Sequence, residues 1–112
     1  MKAPYCLSDY SISELINLLI TARAERARLE VGYPATLIVK SREIEIEGPA
    51  VTPEAIAELV RSVACTRQIR NLRKYGTIEA IYTFKGSRFL VRAVDAFGDC
   101  RLDLQPVVAL IN

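Results

Sequence analysis

Apolar residues recur at helical spacing near the start of the chain, where Ile12, Leu15, Ile16 and Leu19, with Ile20 alongside, make one wide stripe. Ser11 and Glu14 precede the stripe as an S-x-x-E capping box, in which each side chain can satisfy a backbone N–H. The pattern predicts a helix ending at Arg23 or Ala24. The period then shortens. Ala27 to Val31 reads as a short strand stopped by Gly32-Tyr33-Pro34, and Ala35 to Val39 as an apolar, β-branched strand. Lys40 to Arg42 suits a hairpin turn. Beyond it Glu43-Ile44-Glu45-Ile46-Glu47 alternates strictly, which sends Ile44 and Ile46 inward and the glutamates to water.

Gly48-Pro49 closes that strand. Thr52 as N-cap, Pro53 at the first helical position and Glu54 at the positive end of the dipole open a second helix, with its stripe at Ile56, Leu59, Val60 and Val63. The phase changes at Cys65-Thr66. Ile69, Leu72 and Tyr75 define a shorter third helix with Gly76 at C′, where a left-handed backbone suits glycine. The last third alternates as sheet: Ile78, Ala80, Tyr82 and Phe84, a Lys85-Gly86-Ser87 turn, then Phe89, Val91 and Ala93. A Gly98-Asp99 turn leads to Cys100–Val107. Three strands on short turns imply an antiparallel meander.

The order α-β-β-β-α-α-β-β-β predicts an α+β protein, with about six antiparallel strands and the helices packed on one face. Its 112 residues fit a single domain, with residues 1–10 as an N-terminal extension and 107–112 as an apolar tail. The tail, Val107-Val108-Ala109-Leu110-Ile111, and the strand edges need covering, so a homodimer is expected.

Composition mainly excludes. The chain holds no histidine, which removes imidazole as base, proton shuttle and metal ligand, and with it any Ser/His/Asp or Cys/His site. Cys6, Cys65 and Cys100 form no C-x-x-C pair, and read as thiols in a reducing compartment. A net charge of +2 does not argue for nucleic acid or an anionic membrane. The first apolar stretch is broken by Ser13, Glu14 and Asn17, so neither a signal peptide nor a membrane span is expected and the cytoplasm is the expected compartment.

Several stretches, in order, resemble the N-terminal, PAS-like domain of the PilT-type motor ATPases of type IV pili and type II secretion. They are Ala27-Arg28-Leu29-Glu30-Val31, Gly32-Tyr33-Pro34, Ala35-Thr36-Leu37-Ile38-Val39, Val51-Thr52-Pro53-Glu54, Ser87-Arg88-Phe89-Leu90-Val91-Arg92 and Leu104-Gln105-Pro106. Arg28 and Glu30 depart from the acidic and histidine positions of the family strand. No G-x-x-x-x-G-K-[ST] occurs, so nothing here cradles a nucleoside triphosphate. The resemblance implies a PAS-like sandwich without the ATPase half, either standing alone or excised from a longer protein. It also implies a non-catalytic module for protein interaction or regulation, whose partner is another cytosolic protein such as a motor ATPase or a motility regulator. The alternative is a sensor of a small, nucleotide-like ligand, with Tyr82, Phe84 and Phe89 around a pocket between helices and sheet. No cofactor or metal is expected.

Arg67, Arg70 and Lys74, at i, i+3 and i+7 with Arg73 adjacent, are the candidate partner-binding residues. A basic stripe for an acidic partner and a plain solvated helix face both fit them. Arg88 and Arg92, in the R-x-x-x-R spacing of some cyclic dinucleotide binders, share one strand face and are the candidate ligand-binding residues. The companion D-x-S-x-x-G motif does not follow, and a charged sheet face fits them equally. Glu43, Glu45 and Glu47 diverge along one strand rather than converging on a cation, and serve better as an edge guard. Asp95, Asp99 and Asp103 offer carboxylates with no evident pairing, and no catalytic residue is assigned.

Overall fold

The computed structural model describes residues 10–96 and 99–107. Residues 1–9, with Cys6, fall outside it, as do the apolar tail from Val108 onward and Gly98 in the last turn. The elements follow the expected order: α1 (Ile12–Ala22), β1 (Arg26–Glu30), β2 (Thr36–Val39), β3 (Arg42–Glu45), α2 (Pro53–Val63), α3 (Thr66–Tyr75), β4 (Thr77–Phe84), β5 (Ser87–Ala96) and β6 (Asp99–Pro106). The six strands form one antiparallel sheet in the order β3-β2-β1-β6-β5-β4. Two hairpin-linked meanders, one from each end of the chain, meet along the β1–β6 seam, where Ala27 pairs with Leu104 and Leu29 with Leu102.

Caps set the helix limits. Ser11 accepts the Glu14 backbone N–H at 3.3 Å, and α1 closes on Arg23 in a left-handed conformation. Thr52 accepts the Ala55 N–H at 3.1 Å, and Gly76 ends α3 at φ 79°. The strands begin or end within a residue or two of the expected positions. β1 starts at Arg26 and stops before Val31, which instead makes a parallel bridge to Val51.

One sheet face is apolar and carries the helices. Leu29, Leu37, Phe89, Val91, Leu102 and Leu104 are buried there against Leu15, Ile16 and Leu19 of α1 and Ile56, Leu59 and Val60 of α2. Ile46 is buried as its alternation requires, while Glu43 and Glu45 face solvent on the β3 edge. Tyr10 is buried too, and its hydroxyl donates to the Pro49 carbonyl. Burial raises its pKa above the usual tyrosine value, an effect that a hydrogen bond with the Ala35 backbone partly offsets.

The two two-residue hairpins are chemically unequal. Lys85 (φ 50°) and Gly86 (φ 80°) join β4 to β5 with glycine in one of the two left-handed positions. Lys40 (φ 50°) and Ser41 (φ 65°) join β2 to β3 with a β-carbon at both. The Ser41 N–H is held by Glu25 Oε1 at 3.2 Å. Replacing Lys40-Ser41 by Asn-Gly is expected to stabilise the domain by about 1 kcal/mol, since Asn-Gly adopts this turn with less strain. A rise in the urea midpoint at constant slope checks this; a fall would show that the Glu25 contact depends on the native pair.

Candidate docking face and the α2–α3 groove

α3 is the chemically unusual element. It carries Arg67, Arg70, Arg73 and Lys74, and no acidic residue. Cys65 stands at its N-cap, where a serine hydroxyl is more usual, and Gln68 Oε1 accepts the Cys65 N–H at 2.9 Å. The Gln68 backbone N–H lowers the thiol pKa, with Arg67 helping through its own N–H and its charge. At the other end of the same side chain, Gln68 Nε2 donates to the Glu79 carbonyl on β4 at 3.2 Å. The helix is thereby fastened to the outer strand, with Leu72 buried and Ile69 half-buried beneath it.

That anchoring decides which way the cations point. Turning about 100° per residue, Arg67, Arg70 and Lys74 fall within about 60° of arc, roughly opposite Ile69 and Leu72. All three are exposed. The Lys74 ammonium lies 5.3 Å from the centre of the Tyr75 ring. Arg73 is also exposed but lies further round, on the rim of a groove between α2 and α3. The sequence thus placed three cations on one outward row and misplaced the fourth, because adjacency along a helix is separation around it.

The groove has a volume of about 400 Å³. Ile56, Ala57 and Val60 of α2 form one wall, Ile69, Leu72 and Arg73 of α3 the other, and Ala93, Asp95 and Cys100 close it from the sheet. The aromatic residues expected around a pocket lie elsewhere. Phe89 is 2% exposed in the core, with Tyr82 and Phe84 packed partly buried beside it. They fill the sheet face at the hairpin end, away from the place where the helices part.

The second sheet face carries no helix. Across it runs a registered row of side chains, Glu45, Thr36, Arg28, Asp103, Arg92 and Glu79, one from each strand. Arg92 shares this face with Arg88, as their spacing predicts, but its Nε and Nη2 are both held by Glu79 Oε2, at 2.8 and 2.6 Å. Arg88 is exposed at the hairpin end of β5. The two arginines share a face without forming a joint anion site. Asp103 lies between Arg28 and Arg92, with Arg28 Nε at 3.8 Å from Oδ1, and Arg28 also reaches Glu43 at 3.3 Å. Asp95 faces the helices while Asp103 faces the open side, so these carboxylates do not pair. Among the described residues no cluster of three or more acidic or cysteine side chains is placed to hold a metal ion. No described helix is long and apolar enough to cross a membrane.

Comparison with known proteins rests on the fold, since no protein-family model and no curated protein sequence matches the chain. Solved structures do match. The pilus retraction motor PilT, crystallised with bound ADP, superposes with a TM-score of 0.77 at 23% identity, over 91% of this chain and 30% of the motor. The DotB ATPase of Legionella pneumophila gives 0.76 at 16% identity over 97% of this chain and 31% of its own, and that of Yersinia pseudotuberculosis 0.68 at 14% over 96% and 34%. The fold is one found within pilus-motor and DotB ATPases. The chain spans about a third of each ATPase, and identities this low establish shared architecture alone. The expected likeness to the motor ATPases therefore holds at the level of the fold.

Proposed function

We propose that the chain is a non-catalytic interaction module that docks on an acidic surface of another cytosolic protein, in the setting of pilus or secretion motors. The observation that carries this reading is the outward row Arg67, Arg70 and Lys74, on a helix without acids that is pinned to the sheet from below. Three cations held on a rigid face steer an acidic partner and fix its register. The fold shared with ATPases of pili and secretion supplies the setting, and the missing phosphate-cradling motif supports a role without nucleotide hydrolysis. The ligand-sensor alternative has less support on the open sheet face, because Glu79 already holds the Arg92 guanidinium.

The test is quantitative capture from the native cells, comparing the tagged wild-type chain with Arg67→Glu/Arg70→Glu/Lys74→Glu. Recovery of a motor ATPase or motility regulator is expected with the wild type, falling at least about tenfold with the reversed row and with rising salt. Equal recovery by both chains would overturn the proposal. All three positions are solvent-exposed, so circular dichroism of the variant should match the wild type.

A further inference from the structure

We propose that the α2–α3 groove seats an acidic amphipathic helix contributed by the partner. This rests on the docking reading above and specifies how the partner is held. Ile56, Ala57 and Val60 face Ile69 and Leu72 across the gap, a concave apolar strip of the kind that receives one side of a helix. Along α2 the lining runs from Pro53 to Arg61, about 12 Å at the helical rise. Apolar anchors at i, i+4 and i+7 of an incoming helix span about 10 Å, so the groove is long enough for three anchors and little more.

Charge selects the occupant. The α3 side of the groove is cationic throughout, with Arg73 on the rim, Arg70 behind it and no acid on the helix. On the α2 side Arg61 is ion-paired with Glu58, which leaves that wall near neutrality. Aspartate or glutamate flanking the anchors on the α3 side would meet Arg73 and Arg70, neither of which has an ion pair to give up among the described residues. A flank of lysines there would meet like charge. Asp95 is the acid in the lining, and its backbone N–H bonds Gly76 at the C-terminal end of α3. Its carboxylate sets polarity, favouring the positive N-terminal end of the bound helix at that end of the groove.

The probe is a short synthetic amphipathic peptide with leucines at the three anchor positions and glutamates along one flank, compared with the same peptide carrying lysines there. The full-length protein is titrated with each, and amide chemical shifts and fluorescence anisotropy are followed. The glutamate peptide should bind at least about tenfold more tightly, with shifts centred on Ala57, Ile69, Leu72 and Arg73. Ala57 is exposed on the groove wall, so Ala57→Trp should fill the strip without disturbing the core and weaken binding by a similar factor. Equal binding of the two peptides, shifts confined to the open sheet face, or an indifferent Ala57→Trp would each overturn the inference. So would octanoate occupying the groove while the peptide fails to displace it, which would make the site a small-molecule pocket. Native partners lost with the reversed row but kept by Ala57→Trp would sink the groove and leave the docking reading standing. Partners kept by both variants would sink both.

Discussion

Phe89→Ala is expected to destabilise the domain by about 3–5 kcal/mol, the usual loss when a buried phenylalanine is truncated and its surroundings cannot collapse. Phe89 is 2% exposed on β5, with Tyr82 beside it on β4 and Pro106 on β6. Its neighbours are held in register from both sides and cannot close the void without shifting a strand. Domains of this size are typically stable by about 5–15 kcal/mol, so the variant should lose a large fraction of its margin. Urea unfolding checks this: the midpoint should fall steeply while the slope stays unchanged. Phe89→Leu keeps most of the volume and should cost less than about 1.5 kcal/mol. Similar losses for the two variants would show that ring shape, rather than filled volume, is what the site requires.

Arg28→Leu is expected to cost about 1–3 kcal/mol, more than an exposed arginine ordinarily would. The reason lies in Asp103, whose Oδ1 has no accessible surface and no hydrogen-bond partner among the described residues. Arg28 at 3.8 Å compensates that charge, and Arg92 on the other side is occupied by Glu79. Without Arg28 the Asp103 carboxylate keeps its desolvation cost and loses its partner. Adding Asp103→Leu should recover most of the loss, because two apolar side chains in register across the β1–β6 seam pack where two charges stood. A double variant less stable than the sum of its singles would show instead that the row is needed as a whole.

These two predictions depend on the sequence in different ways. The inward alternation of Phe89 with Val91 and Ala93 was legible, as were the Thr52-Pro53 start of α2 and the Gly76 end of α3, because local sterics and capping set all of them. The Arg92–Glu79 pair was legible in principle. A two-residue turn at Lys85-Gly86 opposes Phe84 to Ser87, and counting back five residues along each strand opposes Glu79 to Arg92. The Arg28–Asp103 pair was not. It needs the seam between the two meanders, whose register is decided by packing of the whole apolar face and leaves no turn to count from. The groove was hidden for a similar reason: it exists where two helices part, and no periodicity within either helix reports their separation. Arg73 changed role on the same account, grouped by sequence with the outward row but placed by the fold on the groove rim.

Gln68 spans from the start of α3 to the outermost strand, and in doing so fills the acceptor site of one Glu79 carbonyl that would otherwise face solvent. Long outer strands are where folded proteins add one another's chains, and β4 is eight residues long with Ile81 53% exposed. A single side-chain amide therefore works as a stopper against end-to-end growth of the sheet. Colloidal behaviour at high concentration, and not only the melting temperature, is where a change at this residue would first be felt.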